Sequence, residues 1–148
     1  MNVELLKQLR SDTSASISDC RTAILESKGD YAKAIEIIRS KGLDRAAKKH
    51  ERATGSGLIE AYVHAGGKIG VLIELRCETD FVARNNLFKE LAHALAMQVA
   101  AMDPERIDTL MNQPYIKDQS LTVQELVKSY IGTLGENIRL ANFVRYEI

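Results

Sequence analysis

The hydrophobic spacing of this chain changes at Ala53-Thr54-Gly55-Ser56-Gly57. Apolar residues recur every three or four positions before that stretch and every second position after it. The stretch itself is small and flexible in composition, which predicts a linker at 53–57 between a helical module at 1–52 and a second unit at 58–148. In the module, Val3, Leu5, Leu6 and Leu9 share one helix face. Ser16 and Asp19 have capping-box spacing ahead of Ile17, Cys20, Ala23 and Ile24. Gly29 suits a left-handed closing residue, and Asp30 suits the cap of a third helix carrying Tyr31, Ala34, Ile35 and Ile38. Gly42 is expected to end that helix. A three-helix bundle of about 40 residues is marginal alone, which suits an accessory module. Residues 43–52 carry Arg45, Lys48, Lys49 and Arg52 against Asp44 and Glu51, and read as a solvated basic helix.

Beyond the linker, Ile59, Ala61 and Val63 alternate with Glu60, Tyr62 and His64. Gly66-Gly67 supplies a tight turn, and Ile69, Val71, Ile73, Leu75 and Cys77 line one face of a second strand. The pattern predicts a hairpin with one buried face, that of Ile59, Ala61 and Val63. Phe88, Leu91, Leu95 and Val99 then mark a helix that Ala92 and Ala96 allow to approach a sheet closely; Asp103-Pro104 ends it. Residues 111–120 read as irregular. Thr122 and Glu125 open a helix with Val123, Leu126, Val127, Tyr130, Ile131 and Leu134 on one stripe. In the tail, Val144, Tyr146 and Ile148 alternate with Phe143, Arg145 and Glu147, giving a last strand that can return to the hairpin. The fold class is α+β: a small antiparallel sheet of about three strands packed with helices, behind the three-helix module.

Charge and cysteine usage narrow the functions. Lys+Arg and Asp+Glu both total 20, so no net field draws in a phosphate backbone and no direct nucleic-acid partner is expected. Cys20 and Cys77 lack metal-ligand spacing and read as reduced core thiols, with no cofactor or metal implied. His50, His64 and His93 are scattered, Glu74, Glu78 and Asp80 read as solvated acids, and Gly66, Gly67 and Gly70 sit in a hairpin rather than a phosphate cradle. Residues 91–102 are too short to span a bilayer and the first residues lack signal features, so a cytoplasmic location and no membrane partner are expected. A thiol enzyme built on Cys77 and His64 is one alternative. A binding protein fits better, since no residues assemble an active site.

Thr79-Asp80-Phe81-Val82-Ala83-Arg84-Asn85 joins the second strand to the following helix and admits two readings. In one, Asp80 caps the helix and Phe81 is a buried plug. In the other, Phe81 is held out as a wedge for a partner, where aromatic anchors contribute about 2 kcal/mol or more.

Several segments together are specific. They are Leu9-Arg10, Asp19-Cys20-Arg21, Gly29-Asp30 and Ala46-Ala47-Lys48-Lys49 in the first unit. Gly57-Leu58-Ile59-Glu60-Ala61-Tyr62, Gly70-Val71-Leu72-Ile73-Glu74-Leu75, the 79–85 segment and Gly135-Glu136-Asn137-Ile138 follow in the second. Over nearly the full length this pattern resembles the elongation factor Ts family, the guanine-nucleotide exchange factors of elongation factor Tu. The resemblance implies a ubiquitin-associated-like module that docks on the GTP-binding domain of elongation factor Tu through Arg10, Ile17, Ser18 and Asp19. It implies an exchange wedge at Thr79, Asp80, Phe81, Val82, Ala83, Arg84 and Asn85, and a core-helix contact at Met97 and Gln98. It implies no covalent chemistry.

The chain departs from the family pattern in having a single core unit, as in short members that pair as homodimers, and in lacking a helical-hairpin excursion between Pro104 and Pro114. Gln98 stands where many members have His. Ser14, Ser16 and Ser18 replace small and Met residues, leaving Ile17 as the apolar docking contact. The alternative function is a non-catalytic adaptor that binds through the N-terminal module.

Overall fold

Two clusters of buried side chains organise the chain, and one helix runs from the first to the second. The computed structural model describes residues 2–148. Along the chain these form α1 (Val3–Thr13), α2 (Ile17–Glu26), α3 (Tyr31–Lys49), β1 (Ser56–Val63), β2 (Ile69–Cys77), α4 (Asp80–Ala83) and α5 (Asn86–Met102). They continue as α6 (Ile107–Asn112), β3 (Pro114–Tyr115), β4 (Asp118–Thr122), α7 (Val123–Leu134) and β5 (Ile138–Glu147).

The smaller cluster gathers Leu9, Cys20, Ala23, Ile24 and Ala34 of α1–α3. Side-chain caps start each of these helices: the Asn2 carboxamide, Ser16 hydroxyl and Asp30 carboxylate each accept a first-turn backbone N–H. Gly29, at φ +85°, turns the chain out of α2 in the left-handed conformation expected of it.

Gly42 does not end α3. It lies mid-helix because it faces Gly132 of α7: a Cβ on Gly132 would stand 2.5 Å from the Gly42 Cα. The missing side chain of Gly132 lets the helices cross almost backbone to backbone, whereas a Cβ on Gly42 would meet the Gly132 Cα at an ordinary 4.0 Å. The second half of α3 thereby joins the larger cluster, with Ala46 buried in it and the Lys49 ammonium donating to the Gly135 carbonyl at 2.8 Å. The basic segment thus packs along one side through Ala46 and Lys49, while Asp44, Arg45, Lys48, Glu51 and Arg52 keep the exposed, solvated face expected of them.

The three-stranded antiparallel sheet has the order β1-β2-β5. Val71, Ile73, Leu75 and Cys77 of β2 are buried under Phe88, Leu91, Leu95 and Val99 of α5. On β1 the expected inner face is reversed. Leu58, Glu60 and Tyr62 lie directly opposite Leu75, Ile73 and Val71, and residues paired across a ladder share a face. Ile59 and Val63 therefore point outward, 62% and 66% exposed. The same register puts Phe143 and Arg145 of β5 opposite Ile73 and Val71, and leaves Val144 and Tyr146 outside. Both β1 and β5 carry apolar residues on both faces, so alternation alone could not choose the inner one.

Residues 111–120 are more ordered than their sequence suggests. They contain the end of α6 and most of the β3–β4 hairpin, whose Pro114 carbonyl and Ile116 amide are both bonded by Gln98 of α5. Thr122 and Glu125 form the reciprocal capping box of α7.

Gly132→Ala tests the helix crossing. Ala gains about 1 kcal/mol of helix propensity over Gly, whereas forcing apart two packed backbones costs about 1–3 kcal/mol. A net loss of stability in urea unfolding is expected, while Gly55→Ala, with no atom within 4 Å of its Cβ, stays near wild type.

Candidate partner-binding site

The junction after β2 is a single helical turn held at both ends. Thr79, not Asp80, is the N-cap of α4, its hydroxyl accepting from the Val82 amide at 3.3 Å. Asn85 caps α5 in turn, its carboxamide oxygen accepting from the Leu87 amide at 2.8 Å. Successive helical side chains project about 100° apart, so a one-turn helix lying on a core buries only part of its circumference. Val82 and Ala83 take the inner positions, 5% and 8% exposed. Phe81 is left pointing away and is 83% exposed, which removes the plug reading. Asp80 and Arg84 are exposed beside it and Asn85 is half-buried.

The turn is fastened from a distant part of the chain. One oxygen of the Glu136 carboxylate accepts from the Glu78 and Thr79 amides at 3.1 and 3.0 Å, and the other from the Thr79 hydroxyl at 2.7 Å. The Asn137 amide donates to the Glu78 carboxylate at 2.8 Å, and its buried carboxamide donates to the His50 and Arg52 carbonyls at 3.1 and 2.8 Å. Glu136 and Asn137 carried no site role in the sequence reading, because their partners lie far away along the chain and local spacing cannot reveal them.

The remaining expected contacts are placed unevenly. Arg10, Ile17 and Ser18 are exposed on the first two helices. Asp19 is half-buried and its oxygens accept from Arg45 at 2.6 and 3.0 Å, tying α2 to α3. The Arg45 guanidinium holds the Asp19 carboxyl below its ordinary range, against a partial opposing effect of burial. Met97 is half-buried. Gln98 overturns the partner-contact expectation: it is 0% exposed, and its carboxamide is spent on the Pro114 carbonyl, the Gln113 side chain and the Ile116 amide.

The thiol-enzyme reading also falls. Burial, reinforced by the nearby Glu136 carboxylate, pushes the Cys77 thiol up, away from the reactive thiolate. Cys77 pairs with Ser56 whereas Val63 pairs with Gly70, so His64 lies at the opposite end of the hairpin, roughly 26 Å away at strand rise. Burial likewise raises the Cys20 thiol. Among the described residues no group of three or more His, Cys, Asp or Glu is arranged to hold a metal ion, and no helix is long and apolar enough to cross a membrane. A cleft of about 790 Å³ opens between α3 and the α7–β4 side, but Asp80 and Phe81 lie outside it.

The family model described as Elongation factor TS matches residues 3–108 and 78–148. A relative named Elongation factor Ts from a Picosynechococcus species is 40% identical over 192 residues, covering 99% of this chain and 88% of the relative. One of the same name from Oleidesulfovibrio alaskensis is 39% identical over 189 residues, covering 97% and 96%. Both alignments are longer than the 148-residue chain, so these relatives carry residues without a counterpart here. A third, from a Nostoc species, is 44% identical over 148 residues, all of this chain and 47% of the relative.

The Asp19–Arg45 pair makes a pH prediction. A carboxyl whose folded pKa is depressed stabilises the fold above its unfolded pKa, and that contribution is lost as pH falls through the folded value. Asp19→Asn should cost up to about 1 kcal/mol at neutral pH, the range of partly exposed pairs. Urea unfolding should show the gap between variant and wild type closing as pH drops below about 4.

Proposed function

We propose that this chain, which belongs to the elongation factor Ts family, is a guanine-nucleotide exchange factor that binds elongation factor Tu in its GDP form and promotes GDP release. The observation that carries the reading is Phe81, a large aromatic held out on a turn whose next two side chains, Val82 and Ala83, are buried in the core. An aromatic exposed on a rigid seat gains its apolar contact only when a partner closes over it. It loses little conformational entropy when that happens.

Exchange requires the factor to bind the nucleotide-free conformation of its partner better than the GDP-bound one. In this reading the module at 1–52 docks on the GTP-binding domain with Arg10, Ile17 and Ser18, and the core at 58–148 presents the wedge. Phe81 enters between elements that hold the partner's Mg²⁺ and phosphates, and Asp80 redirects polar contacts around the ion. Weakening the partner's hold on that cation weakens its hold on the phosphate charge. The factor makes and breaks no covalent bond. Such an activity belongs with translation in the cytoplasm.

A homodimer completes the reading. Ile59, Val63, Leu72, Val144 and Tyr146 are exposed together on the outer face of the sheet, a contiguous apolar surface opposite the one covered by α5. A second copy laid on this face by a two-fold axis would bury it on both sides.

Two measurements test these statements. In release of fluorescent GDP from elongation factor Tu, wild type should accelerate release, and Asp80→Ala/Phe81→Ala should lose roughly 30-fold of that effect, the equivalent of about 2 kcal/mol. Tight binding by wild type without faster release would leave an adaptor instead. In sedimentation, wild type should run as a dimer of the 16.5 kDa chain and Leu72→Lys/Val144→Lys as a monomer; a monomeric wild type overturns the dimer.

A further inference from the structure

We propose that Glu136 is a positioning residue for the Phe81 wedge, and that with Asn137 it forms a clasp fixing the wedge against the end of the N-terminal module. The inference rests on the exchange reading above and names what holds its site in register. The Thr79 hydroxyl has one hydrogen to give and two lone pairs. It gives the hydrogen to Glu136 and accepts the Val82 amide, so the carboxylate fixes the rotamer of the very side chain that caps α4. The same carboxylate takes the Glu78 and Thr79 amides, the last two donors before the helix begins. Three donors from two adjacent residues leave the start of α4 no freedom to swing, and Phe81 is its second residue.

Asn137 extends the hold to the module. Its two carboxamide hydrogens go to His50 and Arg52, immediately beyond the last turn of α3, and Arg52 approaches the Glu78 carboxylate at 3.7 Å. One dipeptide thus meets the end of the helix that descends from the module, the end of β2 and the start of α4. The clasp is made of polar groups at the edge of the core, beside Cys77, Val82 and Ile138, so it sets direction rather than supplying the main burial.

The test uses the full chain with Glu136→Ala, Glu136→Gln and Asp80→Ala/Phe81→Ala. Glu136→Gln keeps an oxygen acceptor in place and should retain release within about threefold of wild type, whereas Glu136→Ala should lose on the order of tenfold, the effect of removing a charged hydrogen-bond acceptor. In the Asp80→Ala/Phe81→Ala background, adding Glu136→Ala should change release no further, since the carboxylate acts through those side chains. Hydrogen exchange without partner should show the Thr79 amide opening faster in Glu136→Ala while amides of α5 stay as protected as in wild type. Unchanged release and unchanged Thr79 protection in Glu136→Ala would overturn the proposal. So would equal loss of protection in α5, which marks a general loss of stability. Absence of release by wild type would fail the exchange reading alone, and the exchange of the Thr79 amide would still decide whether Glu136 positions the turn.

Discussion

Burying Val82 and Ala83 in a helix only one turn long is the constraint on which the candidate site depends. With about 100° between successive residues, seating those two leaves Phe81 no inward direction. An isolated turn of helix has no stability of its own. This one persists because it is capped by Thr79, followed at once by the cap of α5 at Asn85, and braced by Glu136. Leaving a Phe in water forfeits about 2 kcal/mol of burial, so the arrangement is one in which a binding contact is kept available at the expense of folding.

The second constraint is the approach of α3 to α7. Gly132 has no room for a side chain where its backbone meets that of Gly42, and the contact turns the module and the sheet unit into neighbours that share Ala46. Lys49 and Asn137 close the seam with hydrogen bonds to backbone carbonyls on either side. A docking surface on α1–α2 and a wedge on α4 can then act on one partner as parts of a connected scaffold, without the freedom that the small residues at 53–57 suggest on paper.

What the sequence disclosed follows from how local each signal is. The inner face of β2 was plain because every second residue is apolar and its alternates include Glu74 and Arg76. The inner face of β1 was misassigned because Leu58 and Tyr62 compete with Ile59 and Val63, that of β5 was left open because Phe143 competes with Val144 and Tyr146, and only the register against β2 decides. Gly42 looked like a helix end because the helix it packs against, at Gly132, lies far along the chain. Gln98 looked available to a partner, and proves to be the anchor of a hairpin that its own sequence hides. The motif around Phe81 was legible as a segment, yet its direction came only with the burial of its neighbours. Glu136 was visible merely as part of a family pattern, since no spacing rule links it to Thr79.

The most direct test of the account is the linkage between nucleotide and factor. Exchange by differential binding demands that GDP weaken binding of this chain to elongation factor Tu by the same factor by which this chain weakens binding of GDP. Titrating the chain against nucleotide-free and GDP-bound elongation factor Tu gives one side of that equality, and titrating GDP with and without the chain gives the other. The account predicts clearly tighter binding to the nucleotide-free form and a matching loss of GDP affinity, with both differences shrinking together in Phe81→Ala. Equal affinity for the two forms would contradict it, whatever the strength of binding.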